Sequence, residues 1–148
     1  MTASPLHHQL IVRRTFKASR ERVFEAWSNP ELLKVWLGGQ TTQVLHATVD
    51  FSVGGMYQLD IQDTSGNIAR LSGMYQEIES PRRIVFTWEW GENYSASSAT
   101  LVTIELREVD NTTEIVLKHE RFDDVPTRDS HGKGWAMCFD RLTTLIST

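Results

Sequence analysis

The stretch SHGKGWAMCFDRLTTLI, residues 130–146, decides how this chain folds. From Trp135 onward its apolar side chains recur at i, i+3, i+4, i+7 and i+11, the spacing of one face of a helix. We predict a terminal helix that begins at about His131 and buries this face against the rest of the protein. The face consists of Trp135, Cys138, Phe139, Leu142 and Ile146.

The start of this helix contains two glycines. Inside a helix, Gly132 and Gly134 would each cost roughly 1 kcal/mol relative to alanine. We therefore expect the first turn to lie close to, or move against, neighbouring strands, and we place a pocket entrance beside His131 and Trp135. His131 itself is expected to cap the helix or face solvent, with a position on the pocket rim as the alternative.

Strands and two short helices precede the terminal helix. LIVRRTF (10–16) is a β-branched run, and residues from about 41 to 122 alternate apolar and polar side chains over about six strands joined by short turns, which predicts an antiparallel meander. Ser19 is suited to cap one short helix, and Pro30 opens the next, which Gly38 and Gly39 should end. Their apolar positions are Val23, Phe24, Trp27, Leu32, Leu33 and Trp36.

This order of elements predicts an α+β fold. A sheet that is apolar on one face must cover that face, and only the last helix is long enough to do so. We expect residues 1–148 to form one domain in which the sheet curls around the C-terminal helix. A wide sheet that grips one helix seldom fills completely, and the remaining gap is a natural pocket.

Five stretches, in the same order along the chain, resemble the activator of heat-shock protein 90 ATPase-like (AHSA-like) family of the SRPBCC, or START-related, helix-grip superfamily. The resemblance implies a curved antiparallel sheet of about seven strands, two short helices after the first strand, and a long C-terminal helix over a cavity. It also implies that many members bind small molecules. Named activators carry an additional chaperone-docking domain, which we expect this chain to lack. The stretches are RTFKASRERVFEAWSNPELLKVWLGG (14–39), DFSVGGMY (50–57), SGMYQEIESPRRIVFTWEW (72–90), LVTIELREVDNTTEIVLKHERF (101–122) and GWAMCFDRLTTLI (134–146).

The apolar strand faces and the last helix predict a binding site for an apolar or aromatic molecule, lipid or polyketide-like. Trp90, beside Gly91 and a polar loop, should lie near its mouth, and the hydroxyls of Tyr57 and Tyr75 need a partner from the protein, water or the ligand. The predicted lining residues are Tyr57, Leu59, Tyr75, Phe86, Trp88, Val102, Ile104, Leu117, His119, Trp135 and Phe139.

Two other functions remain open. A cyclase- or hydrolase-type enzyme could use His119 with a tyrosine to position a proton, although a lone histidine on an apolar face is usually a satisfied core residue. No acid–base pair or nucleophile motif supports catalysis, so we expect a binding protein rather than an enzyme. A protein-interaction module, either a homodimer or a chaperone cofactor, would need an exposed apolar patch, for which Trp36 and Leu37 are the candidates.

Composition argues against several classes. The net charge of −4 disfavours nucleic-acid binding. Histidine spacing predicts no metal site, and no cofactor motif is present, while Asp123, Asp124 and Asp129 are interpreted as a solvated loop before the last helix. Cys138 is expected to be a small buried hydrophobe. No apolar run approaches the ~20 residues of a membrane span and no signal peptide is evident, so we expect a cytoplasmic protein.

Overall fold

A computed structural model describes residues 8–37, 42–92, 94–95 and 98–146. Its elements in chain order are β1 (His8–Phe16), α1 (Arg20–Ser28), α2 (Pro30–Trp36), β2 (Gln43–Val49), β3 (Met56–Gln62), β4 (Ile68–Glu79), β5 (Arg83–Trp90), β6 (Thr100–Val109), β7 (Thr112–Phe122) and α3 (Val125–Ile146).

The strands form one antiparallel sheet in the order β1-β7-β6-β5-β4-β3-β2. Strands β2 to β7 are the predicted meander, and β1 joins it beside β7, where Phe16 lies opposite Thr113. The pairing of β4 with β5 is irregular between Tyr75 and Glu77, and such bulges bend a strand. The predicted α+β helix-grip fold, a curved sheet around the C-terminal helix, is confirmed.

The two short helices begin as predicted. The Ser19 hydroxyl accepts a hydrogen bond from the backbone N–H of Arg22, which caps α1. The Asn29 side chain accepts from the N–H of Glu31 and caps α2, whose first residue is Pro30.

The predicted exposed patch at Trp36 and Leu37 is wrong, because both side chains are buried. The indole N–H of Trp36 donates to the carbonyl oxygen of Ala26 at 2.9 Å, and its ring packs against Trp27 with centroids 4.7 Å apart. Helix α2 thus turns these residues into the core. The predicted helix stop at residues 38–39 lies outside the described residues.

The last helix begins earlier than predicted, at Val125 rather than near His131. Asp124 accepts the N–H of Thr127 at 2.7 Å, and this hydrogen bond lowers the pKa of the Asp124 carboxyl. Pro126 lies in the first turn, where its missing N–H costs no hydrogen bond.

The earlier start moves several residues from a loop into α3. Asp129 belongs to the helix, His131 does not cap it, and Gly132 and Gly134 lie in its interior. The apolar face is confirmed, and Phe139 at its centre packs edge-on against Phe16 with ring centroids 5.9 Å apart. The buried residues of α3 are Trp135, Cys138, Phe139, Leu142 and Ile146.

Candidate ligand-binding site

An open cavity of about 350 Å³, here called the α3 cavity, lies between α3 and strands β3 and β5. Small-molecule pockets commonly enclose about 300–1,000 Å³, so this volume suits a compact ligand. Three indole rings, those of Trp88, Trp90 and Trp135, form much of its wall. Its lining residues are Leu37, Thr42, Ile61, Trp88, Trp90, Ser130, His131, Gly134, Trp135, Met137 and Cys138.

Helix α3 leaves this space open because it presents a glycine there. Ser130, Gly134 and Met137 follow one another at helical spacing along the cavity wall. A Cβ added to Gly134 would meet no atom within 4 Å. A larger residue at this position would therefore occupy the cavity.

His131 and Trp90 form a hydrogen-bonded pair at the cavity wall. The indole N–H of Trp90 donates to Nε2 of His131 at 3.1 Å, and Nδ1 of His131 lies 2.9 Å from the carbonyl oxygen of Thr127. Nδ1 therefore carries the proton and donates to Thr127. Trp90 is 42% exposed. The same two side chains, together with Trp88, also line a polar cleft of about 190 Å³.

His119 is fully buried, and both of its ring nitrogens are occupied by protein groups. Nδ1 accepts the indole N–H of Trp135 at 3.1 Å, so the neutral ring carries its proton on Nε2. Nε2 donates to Oγ1 of Thr100 at 2.7 Å, and that hydroxyl donates to the carbonyl oxygen of Trp88 at 3.0 Å. Burial, assisted by the nearby His131, lowers the pKa of His119 to about 2. In this arrangement His119 positions Trp135 and has no free nitrogen for a bound molecule.

The two tyrosines of the predicted site pack against each other with ring centroids 5.6 Å apart. The Tyr57 hydroxyl donates to the carbonyl oxygen of Thr87 at 2.7 Å, so its partner is the protein itself. Burial raises the pKa of Tyr57 and also that of Tyr75, with Asp50 adding to the second shift. Both hydroxyls therefore stay protonated at neutral pH.

Most of the residues predicted to line the binding site lie away from the α3 cavity. Trp88 and Trp135 line it, whereas Tyr57, Leu59, Tyr75 and Phe86 surround a void of only about 20 Å³ at the centre of the gap between sheet and helix. The remaining predicted residues are buried in the described core and line neither the α3 cavity nor the central void. They are Val102, Ile104, Leu117, His119 and Phe139.

Sequence reasoning did not include most of the helix residues that line the cavity. The predicted helix already contained His131, Gly134, Met137 and Cys138 at helical spacing, but the prediction considered its apolar stripe as the lining face. Ser130 joins the wall only when the helix is extended back to Val125. The Asp124 cap and Pro126 were the signal for that extension.

A seven-stranded antiparallel sheet curved over a long C-terminal helix, with a cavity between them, defines the helix-grip class, a ligand-binding type of fold. The model of the family described as activator of Hsp90 ATPase homolog 1-like protein matches residues 17–147. The chain belongs to this family.

Solved structures share the fold. An uncharacterized protein from Rhizobium leguminosarum is 27% identical with a TM-score of 0.81, covering 96% of this chain and 95% of that one. The AHSA1 protein from Silicibacter pomeroyi is 20% identical with a TM-score of 0.83, covering 95% and 98%. CalU16 from Micromonospora echinospora is 24% identical with a TM-score of 0.71, covering 94% and 76%. No curated protein sequence matches the chain.

The described residues contain no group of at least 3 histidine, cysteine or acidic residues placed to hold a metal ion. None of their helices combines the length and apolar character needed to cross a membrane.

Proposed function

We propose that this protein binds an apolar or aromatic small molecule in the α3 cavity. The observation that carries the proposal is an open volume of about 350 Å³ walled by three indole rings and left open by Gly134. Aromatic walls bind flat apolar molecules by area burial and ring contacts.

The packing of the core supports binding in the α3 cavity rather than at the centre of the gap between sheet and helix. Trp27 contacts the rings of Phe86, Trp135 and Phe139, with centroids 5.9 to 6.2 Å apart. Together these rings leave at the centre a void of about 20 Å³, which is room for roughly one water molecule. Within the gap between the sheet and α3, as the described residues form it, a ligand therefore has room at the α3 cavity and not at the centre, unless the core rearranges.

The site favours binding over catalysis by His119. A general base needs a nitrogen within hydrogen-bond reach of the ligand, and both nitrogens of His119 are engaged by Trp135 and Thr100. We therefore propose no reaction at this site.

The test is a calorimetric titration of the protein and its Gly134→Leu variant with 1-tetralone, decanoate and a flavonoid. At least one compound should bind with a 1:1 stoichiometry, and the leucine side chain should weaken it by about tenfold or more. Gly134→Ala is the matched control, because its methyl group meets no atom within 4 Å and occupies little of the cavity. Equal affinity in the Leu variant, with its thermal unfolding temperature preserved, contradicts the proposed location.

A further inference from the structure

We propose that the molecule held in the α3 cavity carries a neutral hydrogen-bond acceptor, such as a ketone, quinone or ester oxygen, that binds the indole N–H of Trp88. This inference rests on the proposed function and names the chemical class of its ligand.

The starting observation is an indole donor without an acceptor. Nε1 of Trp88 is buried and has no hydrogen-bond partner among the described residues, and the whole residue is only 7% exposed. Few buried polar groups in folded proteins are left this way, because an unmade hydrogen bond loses the stabilisation that water would have supplied.

The two histidine rings that contact Trp88 have no free acceptor nitrogen. The ring of Trp88 lies 5.3 Å from that of His119 and 6.2 Å from that of His131. The acceptor nitrogens of both imidazoles are taken by other indole groups. Hydrogen bonds join Trp135 to Nδ1 of His119, Trp90 to Nε2 of His131 and Trp36 to the carbonyl oxygen of Ala26.

Trp27 is the other described tryptophan whose indole N–H lacks a partner. It borders the central void of about 20 Å³, where a single water fits, and it does not line the α3 cavity. Trp88 borders both spaces, so among the described residues it is the side chain with an unpartnered indole N–H that also lines the ligand-sized cavity. The hydroxyl of Thr42, also on the cavity wall, is buried without a partner as well and offers a second donor.

The charge of the residues that line the α3 cavity distinguishes a neutral acceptor from an anionic one. None of the described residues that line the cavity is Lys, Arg, Asp or Glu. A carboxylate placed there would lose its hydration without gaining a cationic partner, which is costly. A neutral carbonyl oxygen satisfies the indole donor without that cost, so a ketone fits this wall better than a fatty-acid carboxylate does.

The experiment compares 1-tetralone, the matched hydrocarbon tetralin and the matched anion tetralin-1-carboxylate by calorimetry. We expect the ketone to bind about tenfold more tightly than the hydrocarbon, and the anion to bind most weakly. In Trp88→Phe the preference for ketone over hydrocarbon should fall to about onefold. If the Trp88→Phe variant fails to fold, 3-benzothienylalanine at position 88 replaces it. This amino acid removes the N–H while keeping the size of the ring system. Trp27→Phe, as the control, should keep the preference.

The outcomes separate this inference from the proposed function. Equal affinity for tetralone and tetralin in the native protein, with both lost in Gly134→Leu, overturns the acceptor assignment and leaves the binding site standing. Tightest binding of the carboxylate overturns the neutral class. A ketone preference that survives removal of the Trp88 N–H overturns the role of Trp88. If none of these compounds, nor any compound of the earlier titration, binds the native protein, the proposed function and this inference are both overturned.

Discussion

At the scale of single residues, the buried His119 links the sheet to α3. The alternation of β7 places it on the apolar face, so its burial follows from sequence. Its hydrogen-bond partners do not follow from sequence, because Trp135 and Thr100 lie on two other elements. A pattern along one strand cannot show which donor lies across the core.

The buried His119 should make stability depend on pH. Its pKa has an ordinary value of 6.5, which the unfolded chain keeps, and falls to about 2 in the folded protein. Between these values the unfolded chain holds a proton that the folded chain does not. The folded state therefore loses up to about 1.4 kcal/mol of stability per unit as the pH falls through this window.

Urea unfolding of the protein and of His119→Gln, between about pH 7 and pH 5, measures this effect. The native protein should be more stable than the variant at the upper end, and the gap in unfolding free energy should narrow as the pH falls. Comparing the two proteins removes the contribution of the carboxylates they share. A gap that stays constant with pH would show that His119 does not titrate as described.

Gly73 is a second residue whose role is local and steric. It lies in the middle of β4, and a Cβ there would clash with the carbonyl oxygen of Thr87 and the ring of Tyr57. We expect Gly73→Ala to lower the unfolding free energy by about 1–3 kcal/mol, the usual cost of overpacking. Chemical denaturation measures it, and an unchanged midpoint would contradict the close approach.

At the scale of elements, α3 shows where sequence reasoning succeeded and where it failed. The apolar stripe from Trp135 to Ile146 predicted the buried face, because helical spacing is readable from sequence. The first six residues of the helix, 125–130, were missed, since the two glycines were taken as a sign of its start. The Asp124 cap and the packing of the helix against β1 override that propensity.

The glycines of α3 should be replaceable by alanine. A Cβ at Gly132 would lie 3.8 Å from Leu10, an ordinary contact, and one at Gly134 would meet no atom within 4 Å. Each change should raise the unfolding free energy by up to about 1 kcal/mol, because alanine favours the helix. Thermal and urea unfolding test this, and destabilisation by Gly132→Ala would show that α3 lies closer to β1 than described.

At the scale of the whole molecule, the fold follows from sequence more fully than the site does. The order of elements and the need to cover one sheet face lead to a sheet around the last helix. The position of the open space depends instead on how large rings from separate elements pack. Trp27, Trp36, Phe86 and Phe139 fill the centre, and the volume left over lies beside Trp90 and Gly134. The sequence pattern of a single helix or strand therefore cannot predict where this volume lies.

The five tryptophans of the chain provide a direct test of the α3 cavity. Trp88, Trp90 and Trp135 line it, whereas Trp27 and Trp36 are buried away from it. The measurement is a two-dimensional ¹H–¹⁵N NMR titration of the indole N–H signals with 1-tetralone, assigned by single Trp→Phe variants. We predict saturable shifts of the three cavity signals, with the other two nearly unchanged. Largest shifts at Trp27 and Trp36, or no shift at any indole, would contradict this prediction.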